Sequence, residues 1–306
     1  MTDTVDRSTQ GRSIISALIV AMRPRQWAKN VLVFAAPLAA GQLFVPEILL
    51  PSLGAFVVFC LISSATYLIN DVRDVEADRA HPRKSSRPIA AGQLPVPVAI
   101  TAALVLAAAS LVISAFLSLA LVGVVVAYAV FTLAYSLGLK HEPVIELALL
   151  AVGFLLRAIA GGAASGLPIS QWFLIVAGFG SLFMAAGKRY SELDRFVREG
   201  NENDDSPKRK SLDGYTLGYL RFVWGVAAAV TITSYCLWAF DVAETPSSFP
   251  WAEWSVLPFV LAILRYGVSV DRGAAEAPED TALHDRVLLL LGLAWLILFG
   301  LGALGV

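Results

Sequence analysis

The sequence predicts an all-α integral membrane protein of nine transmembrane helices, arranged as two four-helix halves plus a ninth helix. Three observations carry that prediction. Of 306 residues, 57% are hydrophobic and only 15% charged, and the mean hydropathy is +0.70, more apolar surface than a soluble domain can hide. The charges are confined to short stretches between apolar runs long enough to cross a bilayer, for which about 20 residues suffice. A charge-rich loop follows the second run and a larger one follows the sixth, a period of four helices.

Residues 1–26 read as a cytoplasmic or interfacial segment and 27–306 as the membrane domain, with charged loops at 70–94 and 188–214. The polar start "MTDTVDRSTQGRS" has no small-residue cleavage site, so no removable signal peptide is expected. "MRPRQWAKN", Met22 to Asn30, reads as an interfacial anchor. The first span is expected at 27–45 and the second at 48–69. Pro88 to Leu139 contains no charged residue and is too long for one crossing, so it forms a hairpin, spans 95–118 and 121–138, turning near Ser118 to Gly123. Five further spans follow at 143–163, 170–190, 215–240, 253–270 and 286–305.

The basic residues set the orientation. Arg7, Arg12, Arg23, Arg25 and Lys29 precede the first span, Arg73 to Arg87 follow the second, Lys140 follows the fourth, and Lys188 to Arg221 separate the sixth and seventh. Arg265, Arg272 and Arg286 lie around the last loop, whereas the alternate connections near 45–48, 118–121, 163–170 and 241–252 hold no Lys or Arg. The positive-inside rule therefore places the N-terminus and every charged loop in the cytoplasm. Trp251 and Trp254 fall in the opposite aromatic belt. Net charge is -1, giving no sign of nucleic-acid binding, and Cys60 and Cys236 lie in apolar runs, a setting for core packing and not for a disulfide or zinc site. The segment "REGNENDDSPKRKS", 198–211, reads as a solvated cytoplasmic loop or a basic patch for anionic headgroups.

In "NDVRDVEAD", Asp71, Asp74 and Asp78 are spaced by three and then four, one face of a helix, with Asn70 beside them and Glu76 turned elsewhere. Three carboxylates so stacked repel one another, and acid is unfavourable at a helix C-terminus. A divalent cation relieves both costs; hard oxygen ligands with open positions suit Mg²⁺ bridging to substrate phosphates. His81, Arg83, Lys84 and Arg87 follow at once, restrained by Pro82 and Pro88. Acid followed by base in one loop matches a metal–diphosphate complex, carboxylates for the metal and cations for the remaining oxygens. Asn70, Arg73 and Lys29 are further substrate-binding candidates at this membrane edge.

These residues resemble the UbiA superfamily of intramembrane prenyltransferases: "NDVRDVEAD" fits its first motif, NDxxDxxxD, and "HPRKSSRPIAAG" the HPxKxxRPI(A/S)xG that follows. The resemblance implies a nine-helix bundle in which two acidic motifs hold a Mg²⁺-diphosphate and assist departure of pyrophosphate. The second motif, usually DxxxD, is here "GKRYSELD": Tyr190 and Asp194 hold the i, i+4 positions, and Lys188 and Arg189 precede them. That departure, with "MRPRQWAKN" and "LLRAIAGG", resembles the branch of the superfamily that transfers phosphoribosyl from phosphoribosyl diphosphate to decaprenyl phosphate, for cell-wall arabinan precursors. The resemblance implies that Asp71, Asp74, Asp78 and Asp194 are catalytic and hold Mg²⁺, while Lys188, Arg189 and Tyr190 hold the 5-phosphate. It further implies a multi-pass protein of a bacterial inner membrane with its site facing the cytoplasm; homo-oligomerisation is left open.

The lipid phosphate needs its own cation. Arg157 lies two to three turns inside the fifth span with Glu146 eleven residues earlier, close to the same helical face, and charges at such depth face a bundle interior. A structural Arg bonded to a neighbouring helix is the competing reading, and Arg265 is a similar candidate that could instead snorkel. Tyr67, Tyr128 and Tyr135 read as lipid-facing or packing groups. Two other functions stand against phosphoribosyl transfer: an ordinary prenyltransferase acting on an aromatic or quinone precursor, which an intact DxxxD would favour, and a transporter, whose charges would line a pathway at mid-membrane.

Overall fold

The computed structural model describes residues 13–82, 84–198, 212, 214–242, 249–275, 281 and 283–304. The helices are α1 (Ile14–Ala21), α2 (Ala35–Ala39), α3 (Pro46–Arg73), α4 (Val75–Ala80), α5 (Val96–Leu117), α6 (Leu119–Leu137), α7 (Ile145–Ser165), α8 (Gln171–Arg198), α9 (Leu217–Val242), α10 (Trp251–Asp271) and α11 (Arg286–Leu304). Among the described residues eight of them, α3 and α5 to α11, are long and apolar enough to cross a membrane, so the chain is a multi-pass membrane protein.

The expected span at 27–45 is corrected. The chain there runs as a 3₁₀ segment, Pro24–Phe34, followed by the five-residue α2. Arg25, Gln26, Lys29 and Asn30 place four polar side chains in that segment, and proline cannot donate to a helical ladder, so Pro24 and Pro37 interrupt it. Residues expected at the interface form α1, whose Ala17 and Ala21 bury against Leu68 of α3 and Ala99 and Ala103 of α5. The other spans lie where the charge pattern put them. Ser118 alone turns the α5–α6 hairpin, its hydroxyl accepting from the amides of Ala120 and Leu121, a standard N-cap. The expected loop 188–214 begins in helix: α8 runs on to Arg198 and carries the whole of "GKRYSELD".

The two halves have separate cores. Phe59 and Ile62 of α3, Leu121 and Val125 of α6 and Leu156 of α7 form the first, with Val33. Phe183 and Tyr190 of α8, Leu220 of α9 and Tyr266 and Val270 of α10 form the second, with Leu147 at the start of α7. At the far end of the second half, Tyr235, Trp238, Trp295 and Phe299 form an aromatic cluster.

The broken N-terminal segment lies against the small face of α7. A Cβ on Gly161 would overlap the carbonyl oxygen of Val33, a backbone atom that cannot swing away. Gly161→Ala is therefore expected to destabilise the bundle by about 1–3 kcal/mol, the usual range for overpacking. Gly123→Ala, which would meet nothing within 4 Å, is expected to be neutral or slightly stabilising. Thermal unfolding of the two variants in detergent checks the contrast.

Candidate functional site

The ends of α3, α4, α6 and α7 and the last turns of α8 bring the charged residues of the two motifs to one end of the bundle. α3 carries Asn70, Asp71 and Arg73 and breaks at Asp74, which is neither α3 nor α4. The break corrects the expected single carboxylate face. Asp71 and Asp78 converge, 3% of each side chain exposed, while Asp74, at 27%, turns toward Lys140 with an Nζ–Oδ2 distance of 3.3 Å. Arg87 Nη1 lies 3.0 Å from Asp71 Oδ1 and 2.6 Å from Asp78 Oδ2, so two carboxylates point at a single cationic nitrogen. Lys84 adds a longer pair, 3.8 Å to Asp78 Oδ1. The basic half of the loop thus neutralises the acidic half; Arg83 lies outside the described residues. Glu76 pairs outward with Arg79, as its position in the motif required.

A further cation reaches Asp71 from far upstream. Arg23 Nη2 lies 2.5 Å from Asp71 Oδ1 and its guanidinium covers the ring of Tyr67 at 4.9 Å. Arg23 adopts the left-handed conformation, φ 58°, which costs a non-glycine residue about 1–3 kcal/mol; its ion pair and ring contact offset that strain. Lys29 is half-buried on the same segment.

The end of α6 links the first motif to the second. Ser136 Oγ donates to Asn70 Oδ1 at 2.9 Å. Arg73, expected to meet substrate, donates to the carbonyls of Ser136 and, at 3.1 Å, Leu137, oxygens the ending helix leaves unsatisfied. Tyr135, next along, donates to Glu146 Oε1 and accepts from Arg189, both at 3.4 Å. Arg189 Nε donates to Glu146 Oε1 at 2.9 Å, Nη2 to the same oxygen, and Nη1 to Glu192. Arg189 and Glu146 are fully buried, and Lys188 completes the cluster at 3.9 Å from Glu192.

The opposite face of α8 carries the remaining second-motif residues. Tyr190 OH accepts from Arg221 Nη2 at 2.6 Å and donates to Asp271 at 3.4 Å. Asp194 pairs with Arg198 at 2.7 Å and packs beside Gly273, just beyond α10. Lys188, Arg189 and Tyr190 are therefore not one anion site, and Asp194 does not join the first-motif acids: among the described residues no group of three His, Cys, Asp or Glu side chains is close enough to hold one metal ion.

Glu146 is held in place by its own turn. Val144, φ 69°, sits in a γ-turn closed by Ile145 N–H donating to Pro143 O at 2.8 Å, a strained geometry. The Val144 N–H donates to Tyr215 OH at 3.0 Å. Burial pushes the Tyr215 phenol up to about 12, so it stays neutral at physiological pH.

Arg157 and Glu146 are not brought together. Arg157 donates from Nε to Asn30 Oδ1 at 2.9 Å, from Nη1 to Gly153 O at 2.7 Å and from Nη2 to Tyr128 OH at 2.7 Å, and stacks over the Tyr128 ring. It pins the broken N-terminal segment to α6 and α7, the structural alternative for this residue. Tyr128 packs in the first core as expected, and Tyr67, Tyr128 and Tyr135 each also meet an arginine, which the packing reading did not include. Arg265 pairs with Asp285 at 2.8 Å, whose carboxylate also accepts from the amides of Val287 and Leu288 at the start of α11. Arg265 donation is the main cause holding Asp285 below the usual carboxylate range. Cys60 and Cys236 are free thiols.

The donor set fits a divalent cation. Both aromatic and soft ligands are missing from the Asp71–Asp78 pair, the carboxylates already converge on one cationic atom, and among the described residues Asp71 Oδ2 accepts no hydrogen bond. Mg²⁺ commonly takes one or two carboxylates and completes its shell from phosphate and water, so a pair suffices where three were expected. Arg23, Lys140 and Tyr135 join the candidate site, where the sequence reading had them only as orientation or packing residues; Lys140, the sole Lys or Arg between the fourth and fifth spans, carried a local signal.

Residues 30–284 match the UbiA prenyltransferase family. The chain is 51% identical over 290 residues to the curated decaprenyl-phosphate phosphoribosyltransferase of Corynebacterium glutamicum, covering 93% of this chain and 86% of that protein. It is 50% identical over 296 residues to that of Mycolicibacterium smegmatis, covering 93% and 92%. Among solved structures, the UbiA homolog from Archaeoglobus fulgidus bound to GPP and Mg²⁺ superposes with a TM-score of 0.62 at 17% identity, over 95% of this chain and 100% of that one. Digeranylgeranylglyceryl phosphate synthase gives 0.64 at 16% identity, over 96% and 99%.

Proposed function

The chain belongs to the UbiA prenyltransferase family, and from that premise we propose that it transfers 5-phosphoribosyl from phosphoribosyl diphosphate to decaprenyl phosphate, releasing pyrophosphate. The observation that carries this reading is the identity of about half, over more than nine-tenths of the chain, to two proteins named for that reaction. It is supported by the second motif, where Lys188 and Arg189 bring cations to a position the family usually gives to carboxylates alone.

An oxygen of the lipid phosphate attacks C1 of the ribose as the bond from C1 to the diphosphate oxygen breaks, and pyrophosphate leaves with the bonding pair. The lipid phosphate is already an anion, so no strong general base is required; positioning and electrostatics supply the catalysis. Asp71 and Asp78, with Asp74 beside them, would hold a divalent cation, which neutralises charge on the leaving diphosphate when bound. Arg87, Arg23 and Lys84 exchange their carboxylate partners for phosphate oxygens, and Lys188 at the second cluster meets the 5-phosphate. Glu146 and Glu192 hold Arg189 in place beside it. The site faces the cytoplasm of a bacterial inner membrane, where a water-soluble donor meets a lipid-bound acceptor.

The test incubates purified protein with labelled phosphoribosyl diphosphate and decaprenyl phosphate, with Mg²⁺ or with EDTA. Label is expected in the lipid phase only with Mg²⁺. Consumption of a prenyl diphosphate with an aromatic acceptor, and no label in lipid, would overturn the assignment in favour of ordinary prenyl transfer.

A further inference from the structure

The chain enters α7 through strained backbone. Val144 is a β-branched residue at φ 69°, ψ -53°, a conformation such side chains strongly disfavour, and Glu146 is the second residue of the helix it caps. The side chains of the turn do not pack it into place, since Val144 and Ile145 are 55% and 45% exposed. What holds it comes from the segment leading into α9. Gly214 lies so close over the turn that a Cβ there would meet Pro143 Cγ at 2.1 Å, and Tyr215 OH accepts from Val144 N–H at 3.0 Å. That amide, at the N-terminus of α7, has no intrahelical acceptor, so the phenol both satisfies it and fixes the direction of the turn. Tyr215 is itself immobilised, 4% exposed in the second core beside Leu147 and Leu220, with its ring stacked on Tyr219 at 6.1 Å.

Glu146, two residues on, depends on that direction. Its Oε1 takes Arg189 and Tyr135, whereas Oε2 is buried and accepts no hydrogen bond among the described residues. A carboxylate gripped through one oxygen is aimed by its own backbone, which here is the first turn of α7. Arg189 meets Glu146 and Glu192, and Lys188 joins the same cluster through Glu192. A chain of contacts thus runs from Tyr215 through Val144 and Glu146 to the cations of the second motif. The ion pairs of Asp71, Asp78 and Arg87 include none of these residues.

We propose that Tyr215 is a positioning residue for the sugar-phosphate end of the donor: its hydroxyl holds Val144 in the positive-φ turn, the turn aims Glu146, and Glu146 sets Arg189 beside Lys188. The proposal rests on the phosphoribosyl-transfer reading, in which that cluster meets the 5-phosphate. Affinity for the 5-phosphate is then governed from the segment that leads into α9, while the diphosphate end is set separately by the first motif. Tyr215 touches no substrate; it acts through the backbone it fixes.

Tyr215→Phe keeps the packed ring and removes only the oxygen. By calorimetry on the full chain in detergent, the dissociation constant for ribose 5-phosphate is expected to rise about tenfold, the effect of losing one hydrogen bond that orders a charged group, while that for pyrophosphate with Mg²⁺ stays unchanged. In turnover the KM for phosphoribosyl diphosphate rises, with kcat and the KM for decaprenyl phosphate unchanged, the pattern of lost ground-state binding. Val144→Gly supplies the rescue: glycine takes positive φ at no steric cost, so Tyr215→Phe with Val144→Gly should regain wild-type affinity for ribose 5-phosphate. A Tyr215→Phe protein that binds ribose 5-phosphate as wild type does, equal losses for ribose 5-phosphate and pyrophosphate, or a double variant no better than Tyr215→Phe would each overturn the role of Tyr215. The selective loss and its rescue in a protein that moves no phosphoribosyl to lipid would instead overturn the reaction and leave Tyr215 its role.

Discussion

Asp71→Asn is expected to lower phosphoribosyl transfer by about a thousandfold or more while the protein stays folded in the membrane. Asp71 accepts from Arg23 and Arg87 through one oxygen, and under the proposed function the other would meet the divalent cation, so the amide removes charge from both partnerships at once. Loss of one preorganised electrostatic group commonly costs about 10²–10³ in turnover, and under the proposed function one of the two carboxylates for the cation goes with it. The fold survives because Arg87 keeps Asp78, and both arginines are partly exposed and can be hydrated. Asp74→Asn, at a half-buried carboxylate that among the described residues pairs with Lys140, is expected to cost less. Initial rates on protein of matched thermal stability decide the point; Asp71→Asn within tenfold of wild type would remove Asp71 from the site.

Glu146→Ala is expected to produce the largest loss of stability of any single substitution in the charged end. Removing one member of a buried ion pair costs about 3–5 kcal/mol, because the other charge is left in a medium that cannot solvate it. Arg189 retains Glu192, which places the loss toward the lower part of that range. Replacing both partners by apolar residues of similar volume removes the stranded charge, so Glu146→Leu with Arg189→Met should recover most of the lost melting temperature. Recovered stability without recovered transfer would separate the pair's catalytic contribution from its structural one. A Glu146→Ala protein as stable as wild type would mean that Arg189 is fully compensated by Glu192.

The fold was legible wherever charge alternated with long apolar runs. The α5–α6 hairpin turns at Ser118, inside the expected interval, and α10 and α11 begin within two residues of the expected 253 and 286. Hydropathy failed at 27–45, where apolar residues follow a polar, proline-flanked segment: the stretch has the composition of a span without the hydrogen-bond continuity of a helix. At the site, the convergence of Asp71 and Asp78 was legible because their i, i+7 spacing is local, whereas the break that turns Asp74 toward Lys140 was not. The partners were not, because Arg23 lies 48 residues from Asp71 and Glu146 43 from Arg189, distances that no helical period encodes. The same limit hid the role of Tyr128, whose ring and hydroxyl both answer to an arginine 29 residues away.

The convergence of Arg23 and Arg87 on Asp71 has a consequence for biogenesis. A helix end with two buried, converging aspartates would be hard to deliver to a bilayer surface if it had to wait for a divalent ion. Here the chain carries its own counterions, one from the segment made before α3 and one from the loop made directly after α4. Membrane insertion can therefore proceed before any cation binds, and under the proposed function scarcity of the metal would idle the protein without condemning it to degradation.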